Sequence, residues 1–94
     1  MPFALITYTR IEDPHAAQVN LDNSILPRVK LHVEGLQKAY FTADDSYSNG
    51  LSLMVFATRD QAEAMADRVN SGEAHPSPGV TFDHCEVREI VGEV

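Results

Sequence analysis

Between Gly35 and Val69 the chain changes periodicity three times with almost no linking residues. Leu36 to Ala43 alternates as a strand does, and Asp44-Asp45-Ser46-Tyr47-Ser48-Asn49-Gly50 is an acidic turn. Leu51 to Phe56 is then an apolar run, and a helix opens at Thr58. A hairpin passing straight into a capped helix permits few architectures, because the helix must fold back over the strands it has just left. Gln61 stands three residues after Thr58, the spacing of a capping box, and Ala62, Met65, Ala66 and Val69 form the stripe that this helix would bury.

The flanks extend the pattern. Phe3 to Arg10 is rich in aromatic and β-branched residues and reads as a first strand, with Glu12-Asp13-Pro14 as the acidic cap and proline that start a helix. Asn20, Asp22, Asn23 and Ser24 favour caps and turns, and Pro27 lacks the N–H that a continuous helix needs, so a break or kink is expected near Ser24 to Pro27. Ile25, Val29, His32, Val33 and Leu36 then recur at helical spacing, and Gly35 stands where a left-handed cap ends a helix. Gly72 closes the second helix, His75-Pro76-Ser77-Pro78-Gly79 is a loop, and the last strand runs from about Val80 to Val91. The order is βαββαβ, an α+β arrangement with an antiparallel four-stranded sheet, in one domain spanning 1–94.

The strand Leu51 to Phe56 carries apolar residues on both faces, whereas two helices cover only one face of such a sheet. A second copy of the same sheet is the economical cover for the other. At 94 residues the chain would bury about two-thirds of its unfolded surface, so such pairing would also enlarge a modest core.

Seven Lys and Arg against 14 Asp and Glu give a formal net charge of -7, with no basic cluster. Phosphate backbones and anionic membrane surfaces would be repelled, so neither nucleic acid nor membrane is expected as a partner. The first residues have no basic leader and too short an apolar stretch for a signal segment, and the lone Cys85 cannot close an internal disulfide; cytoplasm is the expected location.

Leu26-Pro27-Arg28-Val29-Lys30, Gly35-Leu36-Gln37-Lys38-Ala39-Tyr40-Phe41 and Gly50-Leu51-Ser52-Leu53-Met54-Val55-Phe56, continuing through Arg59 to Val69, resemble the antibiotic biosynthesis monooxygenase-like branch of the dimeric α+β barrel superfamily. The resemblance implies a ferredoxin-like βαββαβ monomer whose sheet packs on a partner's sheet, with a small-molecule pocket between each sheet and its own helices. It also implies chemistry without metal or flavin, so no cofactor is expected. Where relatives carry a Trp on the third strand, this chain has Phe56 and no tryptophan at all. The haem-degrading branch accompanies that Trp with an Asn and a His, and those slots hold Thr7 and Met65. The polyketide oxygenase branch uses an Asn and a Tyr, and those slots hold Ser52 and Ala62. An oxygenase built on this chain needs a different polar set.

Two functional readings stand at this level. In the first, the protein is a cofactor-independent monooxygenase acting on a small aromatic or polyketide-like compound. Ser52, Met54, Phe56 and Met65 then line the pocket, while His32, Tyr8, Tyr40 or Thr7 polarises the substrate oxygen. In the second, it is a non-catalytic small-ligand-binding or structural dimer, with His32 at an exposed helix end and the tyrosines packed as core. His75, His84, Cys85 and Glu86 have ligand chemistry, but neighbouring side chains on a strand alternate faces, so no metal site is expected from them. Asp44 and Asp45 read as turn residues and not as a catalytic carboxylate pair.

Overall fold

A computed structural model of the protein describes residues 2–27, 33, 35–71 and 79–94. Strand β1 (Phe3–Ile11) leads into helix α1 (Pro14–Asn20), and a hairpin of β2 (Leu36–Ala43) and β3 (Asn49–Phe56) follows. Helix α2 (Arg59–Asn70) and strand β4 (Val80–Glu89) complete the order. The four strands form one antiparallel sheet in the order β2-β3-β1-β4, the ferredoxin-like βαββαβ arrangement.

Each helix start has its local cause. The Asp13 carboxylate accepts the Ala16 N–H at 3.1 Å, with Pro14 in the first turn, where its missing N–H costs nothing. Thr58 Oγ1 accepts the Gln61 N–H at 3.2 Å. The irregularity expected at Ser24 to Pro27 falls earlier and is not a break: Leu21–Ile25 form a π-helical turn, and helical backbone continues through Leu26 and Pro27. Widening the turn lets the chain absorb a surplus residue while its backbone bonds persist. Gly35 has φ +77, as a left-handed cap requires, and a Cβ there would collide with the Gln61 side chain, so both space and backbone angle demand glycine.

Strand ends shift modestly from the sequence expectation. β1 runs on to Ile11, whose N–H donates to Ser48 O at 2.8 Å, and β3 begins at Asn49. β4 stops at Glu89, short of Val91: the Ile90 N–H bonds Pro2 O at 2.9 Å, after which residues 91–94 are exposed. Gly72 and His75-Pro76-Ser77-Pro78 lie outside the described residues.

The hairpin turn is organised by one carboxylate. Asp44 accepts the Ser48 N–H at 2.9 Å, the Asn49 N–H at 3.2 Å, the Asn49 Nδ2–H at 2.9 Å and the Ser46 hydroxyl at 3.3 Å. The Asn49 side chain and then the two backbone donors hold its pKa at about 2, below the ordinary 3.8. Because the folded value lies below the unfolded one, Asp44 contributes stability above pH 3.8 that drains away as pH falls toward 2. Carboxyl-resolved NMR titration should therefore find its midpoint near pH 2. The stability difference between the protein and Asp44→Ala should shrink across the same interval. A midpoint near 4 for Asp44 would contradict the turn geometry.

The core lies where α2 crosses β1 and β3. Leu5, Phe56 and Ala62 are completely buried, Met54 and Ala66 nearly so, and Phe3, Val33, Leu36, Ala39, Met65, Cys85 and Val87 pack around them. Small alanines on α2 let the helix settle closely on the large side chains of the sheet.

Candidate functional site

Strand register sorts the helix-covered face of the sheet into rows. One end row holds Leu36, Phe56, Phe3 and Glu89, and the next Ala39, Met54, Leu5 and Val87. These two rows supply the core. The third row changes character: Phe41 on β2, Ser52 on β3, Thr7 on β1 and Cys85 on β4. Three small polar groups thus follow one another across the three strands β3, β1 and β4.

Thr7 is the centre of that row and is only 4% exposed. The buried side-chain polar atom left without a partner among the described residues is Gln61 Oε1 at the start of α2, not the Thr7 hydroxyl. Ser52 stands directly opposite Thr7 on β3 and Cys85 on β4. The Cys85 thiol donates to Asn70 Oδ1 at 3.5 Å and points at Ala66 O at 3.9 Å. Burial raises the thiol pKa above its ordinary value, opposed by the Asn70 bond and reinforced by the charge of Asp67, which keeps Cys85 a neutral donor rather than a thiolate.

Of the sequence-derived pocket residues, Ser52 and Thr7 meet across one strand pair, Met54 lies in the adjoining row beside Leu5, and Met65 packs against the same core from α2. Phe56 sits one row farther on, fully enclosed by core side chains. Tyr8 and Tyr40 are on the opposite face, so the structure does not bring them to Thr7. Tyr8 stacks on His84 with ring centroids 4.4 Å apart and 18° between planes, and Tyr40 is 53% exposed. His32 and His75 lie outside the described residues. His84 and Glu86 face away from Cys85, with His84 Nδ1 3.4 Å from Asp83 Oδ2, so these neighbours on β4 do not converge. Sequence reading passed over Asn70 and the alignment of Cys85 with Thr7. A signal for the former existed: Asn70 continues the i, i+4 stripe of Ala62 and Ala66.

The other face carries Ala4, Ile6 and Tyr8 from β1, Leu51, Leu53 and Val55 from β3, and Tyr40 from β2. Its rim is polar, with an Arg88–Glu86 ion pair at 3.1 Å. Along α1 a shallow groove open to solvent is lined by His15, Ala16, Val19, Asn20, Asn23 and Ser24. Among the described residues no helix is long and apolar enough to cross a membrane.

No protein-family model matches the chain, and no curated protein matches it either. Solved structures do share its fold. A dimeric ferredoxin-like protein from an uncultured marine organism is 15% identical, with 99% of this chain and 98% of that one covered at a TM-score of 0.68. SnoaB, a cofactor-independent oxygenase from Streptomyces nogalater, is 8% identical, with 99% and 96% covered at 0.68. A monooxygenase from the gene ActVA-Orf6 of Streptomyces coelicolor, solved with the ligand nanaomycin D, is 10% identical, with 98% and 89% covered at 0.61. The fold is therefore the ferredoxin-like one that these proteins share, an oxygenase and a monooxygenase among them.

Proposed function

We propose that the protein is a homodimer that takes a small aromatic or polyketide-like compound against the helix-covered face of its sheet and oxidises it with dioxygen, without a bound metal or flavin. The observation that carries this reading is the row of small hydrogen-bonding groups, Ser52, Thr7 and Cys85, set beside the apolar core on the helix-covered face. Fold likeness to two oxygenases supports it as analogy. In the reaction a ring CH2 next to a carbonyl loses a proton, and the resulting carbanion passes electrons to dioxygen. One oxygen atom ends in a new C=O and the other leaves as water, so the substrate supplies all the electrons. The protein's part is to hold the substrate oxygen, lower the cost of the anion by hydrogen bonding and exclude water.

The second reading, a non-catalytic ligand-binding dimer, is favoured by one feature of the same row. Its described members offer hydroxyls and a neutral thiol but no imidazole or carboxylate to serve as base. Oxygen uptake with a panel of hydroxylated polycyclic aromatics separates the two. Uptake above a heat-killed control, reduced in Thr7→Val, is expected for the oxygenase. No uptake across the panel leaves the binding dimer.

A further inference from the structure

The hairpin turn ends in Asn49-Gly50, a pair with a chemistry of its own in an unfolded chain. Glycine has no side chain to crowd its nitrogen, so the Gly50 backbone nitrogen can reach the amide carbon of the Asn49 side chain. In that reaction the Gly50 nitrogen gives up its proton and bonds to Asn49 Cγ, the Cγ–Nδ2 bond breaks, and ammonia leaves. The cyclic imide then takes up water and opens to aspartate or isoaspartate.

The fold opposes both the attack and the departure. Asn49 is the first residue of β3, and its extended backbone turns the Gly50 nitrogen away from Cγ. The Ile11 N–H bond to Ser48 O at 2.8 Å marks a hydrogen-bonded pair, and the next such pair along the β1–β3 ladder is Thr9 with Gly50, which engages the Gly50 N–H with Thr9 O. The leaving nitrogen is held as well: Asn49 Nδ2 donates to Asp44 Oδ2 at 2.9 Å, while Asp44 Oδ1 accepts the Asn49 N–H at 3.2 Å. Against these restraints Tyr47 has φ +54, a left-handed conformation that a residue with a side chain keeps only where its surroundings impose it. The turn therefore depends on the Asp44 bonds that close it. A carboxylate in place of the Asn49 amide would remove a donor from Asp44 and set like charges face to face. An isoaspartyl link would add a main-chain carbon where Asp44 N–H now bonds Asn49 O at 3.0 Å.

We infer that Asn49-Gly50 is a latent deamidation site, held inactive by Asp44 and by β1, and that reaction there undoes the turn that had suppressed it. This stands apart from the ligand site proposed above and shares no residue with it.

Peptide mapping by mass spectrometry, during incubation of the full chain at neutral pH, reads the fraction of Asn49 converted and its isoaspartate content. The parent in concentrated urea is expected to react about 10-fold or more faster than the folded parent, because folding withholds the open form. Asp44→Ala should raise the rate in the folded protein about 10-fold, the effect of losing hydrogen bonds to a charged group. Asp44→Asn, which keeps the shape and removes the charge, gives the same measurement if circular dichroism shows Asp44→Ala to be unfolded. Val87→Ala, in the core away from the turn, should leave the rate unchanged and so separates the turn from a general loss of stability. Asn49→Asp should lower the urea midpoint. Equal rates in the folded and unfolded parent, Asp44 variants no faster than the parent, or Val87→Ala as fast as they are would each overturn the latent site. An unshifted midpoint in Asn49→Asp would overturn the claim that reaction undoes the turn.

Discussion

Replacing Phe56 with alanine is expected to remove about 3–5 kcal/mol of folding stability, the range for a large aromatic cut from a closed core. Phe56 has no exposed surface and is ringed by side chains from three elements: Phe3 on β1, Leu36 on β2, and the alanines of α2. None of these neighbours is placed to collapse into the space, because the β1–β3 ladder and the helix fix their backbones. A domain of this size has about 5–15 kcal/mol to lose. Urea titration followed by circular dichroism should show the midpoint falling by a third or more with the slope unchanged. Leu51→Ala, at an exposed strand position on the other face, should move it by far less in the monomer. A Phe56→Ala loss below about 1 kcal/mol would mean that the ring borders open space instead of core.

Leu53→Asp is expected to abolish self-association while leaving the fold intact. Leu53 sits between Ile6 on β1 and Tyr40 on β2, at the middle of the face opposite α2. In the isolated chain its side chain is half-buried, so a carboxylate there keeps access to water. Under a second sheet it would be stranded in apolar surroundings, at a cost of several kcal/mol per copy, which weakens a dimer about a thousandfold or more. Sedimentation at micromolar concentration should give a dimer for the parent protein and a folded monomer for the variant. A parent that sediments as a stable monomer would refute the homodimer part of the proposal, whatever the variant does.

What could be read in advance followed from short-range rules. Asp13 with Pro14 and the positive φ of Gly35 are each decided within a few residues and took the expected form, whereas the capping box formed only by half: Thr58 accepts the Gln61 N–H, and the Gln61 side-chain oxygen stays buried without a partner. The alternation of Leu51, Leu53 and Val55 against Met54 and Phe56 likewise fixed which residues share a face. Tyr8 and Tyr40 were grouped with Thr7 on chemistry alone, although Tyr8 is adjacent to Thr7 and must point the other way on a strand. The row of Ser52, Thr7 and Cys85 depends on two independent registers between segments up to 78 positions apart (85 less 7), and nothing local specifies them. The π-helical turn was foreshadowed by poor helix formers at Asn20 to Ser24, but propensity does not reveal how a helix absorbs a surplus residue.

The irregularity in the β1–β4 ladder bears on how this chain should be matched to others. Tyr8 opposes His84, but Thr9 opposes Phe82, so Asp83 is passed over. Counting back from Cys85 by twos would assign Asp83 and Thr81 to the helix side and Phe82 to the other, the reverse of what the pairing imposes. A protein one residue shorter at this point would keep every cross-strand neighbour of both halves of β4. The bulge is thus a frame shift written into a strand. An ungapped alignment through it would be right on one side of Asp83 and wrong about every side chain on the other.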